Sequence, residues 1–427
     1  MLGQIVKNLW NNRHRNLWIM LELIVISVVS WVVIDPIFVL NYNRLLPDGY
    51  DAEGLYRLQL MRNWEDSLSN PAEDYERIMA RLRDNRYVDA ATCVLRDAYP
   101  SSPGNNTSNI KQDTTEVTTT YIPFFRNSGF FRTWHFRSAV DGTWETLEKL
   151  EIPDDGIILS EDAAALLPDG RNIVGQTIFE PHRDSLTYKV MALMQPVKMR
   201  NGMQPYAVRL KPWIGEMPEW AYEGMRVFIR AKEGVSEERF MEEFLQWSDE
   251  NLMNGSLVFQ DFIPFHQMQE ISDLEEGVTN EIRTKYILAA FFMFNLLLAV
   301  SGTFWMNTRM RREEVGIRLS YGASPTQIQR MLICEGWVLT TIAVLVGCFI
   351  YFQWAHLEGL YAFGDLFSWD KHIASNKSLY LPNHFILHFT IVSLLVYAVM
   401  IVVTWLGVYI PAYSISKISP VEALRSE

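Results

Sequence analysis

Cysteine is scarce in this sequence: 427 residues contain three, Cys93, Cys334 and Cys348. Two belong to one long apolar run and Cys93 stands alone in a polar region. No disulfide can form within that region, and Cys93 reads as a buried structural thiol. The chain also lacks G-x-x-x-x-G-K-[ST], and with it any phosphate-cradling loop of its own. There is no H-E-x-x-H, no C-x-x-C, no G-x-S-x-G, and no paired H-R-D and D-F-G set of a kinase, while the histidines are scattered among turns and apolar-run ends. No catalytic, metal-ligating or cofactor-binding residue can be named on these grounds, and the chain is read as a non-enzyme. Positive charge is short as well. A formal net charge of -12 argues against a nucleic-acid partner, which needs a basic footprint.

Long apolar runs are what the sequence has instead. Mean hydropathy is close to zero over the whole chain, but the apolar residues are concentrated in four runs of roughly 20 or more, enough to cross a hydrocarbon core of about 30 Å. The boundaries read as follows: 1–15, an amphipathic start with Leu2, Ile5, Val6, Leu9 and Trp10 on one helical face; 16–40, the first span; 41–285, a polar insert; 286–308, the second span; 309–330, a basic loop; 331–354, the third span; 355–384, an aromatic-rich loop; 385–410, the fourth span, ended by Pro411; 411–427, a tail. The first run is too long for a signal-peptide core and lacks a cleavage site, so it is read as retained. Bases flank the runs at Lys7, Arg13 and Arg15, in the 309–330 loop, and at Lys417 and Arg425. That asymmetry places both termini and the loop in the cytoplasm and the insert outside. Glu22 and Asn295, polar groups inside spans, are expected to face neighbouring helices.

The insert alternates between strand and helix patterns. Tyr56 to Met61, Asn172 to Phe179, Tyr188 to Val197 and Met225 to Arg230 read as strands. Pro71 to Asn85 and Ser236 to Leu252 read as helices, and Gly156 to Leu167 as a strand, a Ser160 cap and a helix. An α/β domain with an antiparallel or mixed sheet fits this order. Ser101 to Thr120, polar and holding sequons at Asn105 and Asn106, reads as a loop or subdomain joint. Trp134, Trp144, Trp213 and Trp220 suggest a ligand cage less readily than they suggest core packing.

The most specific stretch runs from Arg309 to Glu335. It carries Arg309, Arg311, Arg312, Arg318 and Arg330, an i,i+4 pair of Glu314 with Arg318, and an apolar face of Val315 and Leu319. Gly322 supplies a helix stop, and Ser324, Pro325 and Gln327 a capping-box start. Two helices joined at Gly322 are therefore expected.

The run REEVGIRLSYGASPTQIQRMLICEG resembles the signature of the MacB/FtsX-like permease family, and PAYSISKISPVEALRSE resembles that family's ending. Ser320 and Tyr321 depart from the family pattern, a difference that bears on partner choice. The resemblance implies a membrane α-helical fold of four transmembrane helices with an inserted α/β extracytoplasmic domain. It further implies the permease subunit of an ABC transporter in the bacterial inner membrane, coupling hydrolysis by a separate ATPase to conformational work outside, on a peptide, lipoprotein or antibiotic-like substrate. The alternative within the same resemblance is a regulatory scaffold that activates an extracellular cell-wall hydrolase without transport. Implied partners are the ABC ATPase, which would hold ATP and Mg, a second permease chain, and a periplasmic adaptor or outer-membrane component. The residues implied in docking and coupling are Arg311, Arg312, Glu313, Glu314, Gly316, Arg318, Gly322, Ala323, Ser324 and Pro325.

Overall fold

A computed structural model describes residues 13–66, 69–95, 98–102, 104, 106–181, 186–252, 255–275, 277–361 and 379–418. The amphipathic start at residues 2–10 and the P-V-E-A-L-R ending lie outside these residues. The described chain divides into two compact units.

Among the described residues, four helices are long and apolar enough to cross a membrane. They are α1 (Arg13–Leu45), α8 (Val278–Met310), α10 (Pro325–Glu358) and α11 (Phe385–Ser416), with the short α9 (Arg312–Ser320) between the second and third. At 1.5 Å per residue each long helix measures about 50 Å, more than the hydrocarbon thickness. Where lipid supplies no hydrophobic drive between helices, close approach depends on small residues. A Cβ on Gly347 would stand 2.6 Å from Ser27 Oγ, and one on Gly407 would stand 2.8 Å from Val300 Cγ1, so α10 lies tight on α1 and α11 on α8. Trp31, fully buried, is stacked between Tyr351 at 4.5 Å and Phe389 at 4.8 Å. Thr340 and Thr404 share a buried hydrogen bond of 2.8 Å between α10 and α11.

Two expectations for the spans are corrected. Pro411 does not end the last helix, which continues to Ser416 with the proline buried inside it. Only the carbonyl of Gly407, four residues earlier, loses a donor there, and packing of the helix carries the chain past it. Asn295 bonds to no other helix among the described residues; its amide donates to the Phe291 carbonyl of its own turn at 2.8 Å. Glu22 meets the expectation, accepting a hydrogen bond from Thr303 of α8 at 2.7 Å.

The second unit is built on two sheets. The first has strand order β10 (Leu257–Pro264), β1 (Leu55–Arg62), β9 (Met225–Ala231), β2 (Val88–Val94), all antiparallel. Alternation puts Tyr56, Leu58 and Leu60 of β1 on one face. There α2 (Pro71–Asp84) and α6 (Glu237–Asn251) cover them with Ile78, Met79, Leu82, Phe240 and Phe244. The opposite face carries Phe228, which packs on Trp134 of α3 (Phe130–Trp134) at 4.5 Å, with Phe265 at the start of α7 (Phe265–Glu275) beside it. Cys93 is buried in β2, and burial pushes its thiol up to about 12, as an inert structural cysteine requires.

The second sheet is a closed barrel in the order β3 (Thr107–Gln112), β4 (Thr115–Phe124), β8 (Val208–Pro212), β5 (Gly156–Ser160), β7 (Thr187–Met194), β6 (Thr177–Phe179). The β4–β8 and β5–β7 pairs are parallel and the others antiparallel. A short helix α4 (Glu145–Glu148) precedes β5, and α5 (Glu161–Ala165) follows it, capped by Ser160, whose hydroxyl accepts from the Ala163 N–H. From Thr107 on, the stretch expected to be a loop or joint is instead a hairpin, β3 and most of β4, turning at Asp113 with φ of 53°. Its threonines are β-branched and suit a strand, though their polarity reads as loop. The strand expected from Asn172 shrinks to Thr177–Phe179, because Gly170–Ile173 forms a 3-10 turn that buries Ile173 in the barrel.

Candidate coupling site

The path from α8 to α10 is a knuckle held by hydrogen bonds at both ends of the turn between α9 and α10. Helix α9 is capped at its C-terminus by Tyr321, and Gly322 follows with φ of 91°. The Gly322 N–H donates to the Leu319 carbonyl at 3.0 Å and the Ala323 N–H to the Arg318 carbonyl at 3.0 Å, the paired bonds of a Schellman stop. One residue on, the Gln327 N–H donates to Ser324 Oγ at 3.3 Å while the Ser324 N–H donates to Gln327 Oε1 at 2.9 Å, which closes the capping box of α10 with Pro325 in its first turn. The residues between the two helices therefore have few directions open to them.

The electrostatics of the knuckle differ from the sequence reading. Arg311 is not an exposed base. It is buried, donating through Nε to Glu314 Oε2 at 2.8 Å and through Nη2 to Glu314 Oε1 at 3.1 Å and to Glu335 Oε1 at 3.3 Å, with Nη1 on Glu335 Oε2. Burial alone would lower the affinity of its guanidinium for a proton, but the two carboxylates outweigh burial and raise it. Arg318 adds a bond to Glu314 Oε1 at 2.9 Å. For Glu314 burial pushes upward, yet Arg311 and Arg318 prevail and hold the carboxyl below its usual range. Glu335, inside α10, and Glu314 together thus neutralise the arginine that joins α8 to α9.

The ten implied docking residues separate by exposure. Glu313, Arg318, Gly322, Ser324 and Pro325 face outward, Arg312, Glu314 and Ala323 are half-buried, and Arg311 and Gly316 are buried. The two most prominent apolar side chains of the tip are Tyr321, at 89% exposed and already singled out for partner choice, and Ile317, at 47%, which sequence reasoning passed over. At the tail end, Gln329 Nε2 donates to Ser416 Oγ at 2.9 Å, so the knuckle end of α10 is tied to α11.

Sequence reasoning also missed a second polar constellation, Asp35 of α1 with His388 of α11. Both are buried, with Nε2 and Oδ1 2.7 Å apart. Ionisable residues inside apolar runs were the available signal, and Glu22 was read by that signal when these were not. The tryptophans of the second unit do not form a cage. Trp134 lies in the aromatic core, Trp144 stacks on His135 at 4.8 Å, and Trp213 donates to the Glu216 carbonyl at 3.2 Å.

The four described helices long and apolar enough to cross a membrane, two of them joined by a hydrogen-bonded, partly charged knuckle, are those of a multi-pass membrane protein. Residues 286–420 match the family model described as FtsX-like permease C-terminal. Among curated proteins, none matches the chain. Solved structures similar to it include a domain of a putative permease protein from Porphyromonas gingivalis, with 14% identity over 51% of this chain and 92% of that one, at a TM-score of 0.33. The periplasmic region of MacB from Actinobacillus actinomycetemcomitans shares 8% identity over 52% of this chain and 94% of that one, at 0.31. The extracellular domain of the noncanonic ABC-type transporter YknZ from Gram-positive bacteria shares 11% identity over 48% of this chain and 100% of that one, at 0.29.

Proposed function

We propose that the chain is the permease subunit of an ABC transporter that works on the extracytoplasmic side of a bacterial inner membrane, moved by a separate ATPase that binds ATP and Mg. The observation that carries this reading is the knuckle itself. Tyr321 and Ile317 project from a turn whose backbone is held by the Schellman stop and the capping box, and Arg311 with Glu335 fastens that turn to α10. A push on the tip then displaces a 34-residue helix rather than a flexible loop. Two such chains, identical or different, would face two ATPases, with both termini and the knuckle in the cytoplasm and the large unit outside. The substrate class is a peptide, lipoprotein or antibiotic-like molecule, extracted or exported without this chain performing chemistry on it. An adaptor or outer-membrane component would join on the outside.

The test is co-purification of the ATPase with wild type, Tyr321→Ala and Gly322→Val, together with the ATP hydrolysis rate of the reconstituted complex. Both substitutions should leave membrane insertion intact and reduce recovery and stimulated hydrolysis by about tenfold, the equivalent of roughly 1.4 kcal/mol of contact. Undiminished recovery and stimulation with both variants sinks the docking site. A regulatory scaffold would instead keep the ATPase contact and activate a cell-wall hydrolase with no substrate moved.

A further inference from the structure

We propose that the groove between α1 and α8 binds a cationic amphiphile, a single-tailed molecule whose ammonium head meets Glu22 and Asn307 and whose tail lies along the two helices towards mid-span. Two cavities make up this groove, one of 780 Å³ at the knuckle end of the helices and one of 350 Å³ deeper along them, and they share Val25, Ile26 and Ala299 on their walls. The helical period builds both walls. On α1, Glu22, Ile26, Val29 and Val33 recur at steps of four and three, and on α8 Thr303, Ala299, Leu296 and Phe292 do the same, so each helix turns one stripe to the groove. From Glu22 to Ile34 the groove runs about 18 Å at 1.5 Å per residue, close to half of a hydrocarbon core of about 30 Å. That is the depth of one leaflet, and it suits one alkyl tail.

The polar groups gathered at the knuckle end of the groove are acceptors short of donors. Glu22 Oε2 accepts from the Thr303 hydroxyl at 2.7 Å, and among the described residues no base and no second donor meets this carboxylate. Asn307 lines the same cavity, is 9% exposed, and its Oδ1 has no hydrogen-bond partner. A carboxylate within an apolar run is costly without a counter-charge, and a buried amide oxygen is costly without a donor. An ammonium supplies both, because it carries positive charge and three donors with no acceptor. Trp18, one turn before Glu22 on α1, adds an indole to this end of the cavity, and aromatic rings attract cations.

The same walls select against the other occupants of a bilayer. Among the described residues, no arginine or lysine lines either cavity, so the phosphate of a phospholipid or the carboxylate of a fatty acid finds no counter-charge there and is repelled by Glu22. An uncharged alcohol donates one hydrogen bond and leaves the Glu22 charge unmet. Tail shape is held less strictly, since Met306 on the wall is an unbranched thioether that adapts to what lies against it. Ala299, where the two cavities join, is small and exposed, which keeps the passage between head and tail regions open. Binding here needs neither the ATPase nor the outer unit, so it stands or falls separately from the permease reading.

The experiment uses the full chain in phosphatidylcholine nanodiscs, with hexadecylamine carrying a photoreactive diazirine in mid-tail as the ligand and mass spectrometry to locate the adducts. Labelling should saturate, fall on α1 between Val25 and Ile34 and on α8 between Ala289 and Ala299, and be displaced by unlabelled hexadecylamine about tenfold more readily than by hexadecanol or hexadecanoic acid. Glu22→Gln keeps an acceptor for Thr303 and the volume of the side chain, so its Tm should match wild type while half-maximal labelling needs about tenfold more ligand. Ala299→Leu fills the passage at an exposed position and should abolish labelling of the deeper residues. Labelling that never saturates would mean partition into the bilayer alone, and displacement by phosphatidylethanolamine would mean a phospholipid site; either overturns the proposal. So does equal displacement by the alcohol, or a disulfide between two Val25→Cys chains that the amine does not disturb, which would give the groove to a second copy. If Glu22→Gln does not fold, the displacement series and Ala299→Leu still decide.

Discussion

The guanidinium of Arg311 and the carboxylate of Glu335 meet in a two-pronged ion pair across 24 residues of sequence, with both side chains buried. A buried pair contributes little compared with an apolar substitute of its shape, and here Glu314 still holds Arg311 when Glu335 is neutralised. Glu335→Gln should therefore destabilise the chain by about 1–3 kcal/mol, the cost of weakening a buried charged hydrogen bond, and Arg311→Ala by more, since it removes the bonds to both carboxylates. Arg311→Lys should fall between, since a single ammonium cannot reproduce the fork that spans Glu314 and Glu335. Thermal unfolding in detergent measures all three. Raising salt should barely change the differences, because ions do not screen a buried pair.

Salt sensitivity belongs to the exposed bases instead. Arg318 and Arg330 face outward at the knuckle, where charges act through solvent. Reversing both to Glu should leave stability within about 1 kcal/mol of wild type, as expected for surface charges. ATPase recovery should fall several-fold at low salt, with the deficit shrinking as salt is raised. A deficit that ignores salt would mean that these arginines dock by shape or serve only to orient the loop.

How far the sequence could be read depended on whether a feature was local. The helix stop at Gly322 and the capping box at Ser324 are set by residues within four positions of each other, and both were legible. The four apolar runs were legible for the same reason. The fate of Arg311 was not, because its second carboxylate arrives from 24 residues away, and an arginine in a basic loop reads as exposed until that partner is placed. Asp35 and His388 lie 353 residues apart, so nothing local pairs them. The barrel was hidden differently: β3 and β4 are polar strands whose threonines mimic a loop, and β6 pairs over only three residues, Thr177–Phe179.

Asp162, in the first turn of α5, gives the second unit a pH dependence. Burial, opposed by a 2.8 Å hydrogen bond from the Tyr380 hydroxyl and reinforced by the Glu161 charge, raises its carboxyl from 3.8 to about 7. The folded state therefore binds this proton more tightly than the unfolded state. Its contribution to stability is complete below pH 3.8 and is lost as pH rises through about 7. Asp162→Asn keeps an acceptor for Tyr380 and removes the titration. Each pH step of one between the unfolded and folded values is worth about 1.4 kcal/mol, so the stability difference between wild type and Asp162→Asn should change by roughly a few kcal/mol from mildly acidic to mildly alkaline pH. The change favours the variant as pH rises. Parallel unfolding curves for the two proteins across that range would contradict the assignment.

The orientation is testable with single cysteines, and the structure decides where they should go. Ser108 looks suitable in the sequence, but its hydroxyl is held by Arg209 and its side chain is half-buried in the barrel, so a thiol there would report packing as much as sidedness. Val140, 85% exposed in the large unit, is the better reporter for the outside. Ser324 is exposed at the knuckle, though it caps α10, and Tyr321 at 89% exposed can be labelled without disturbing the cap. In a background with Cys93, Cys334 and Cys348 replaced, an impermeant maleimide added to intact spheroplasts should label Val140→Cys and spare Tyr321→Cys. Permeabilisation should then make both react, because neither side chain is buried. The basic residues around the knuckle motivate this direction, since cytoplasmic loops hold the excess of arginine and lysine. Labelling of Tyr321→Cys in intact cells, with Val140→Cys protected, would place the knuckle outside and remove any route to a cytoplasmic ATPase.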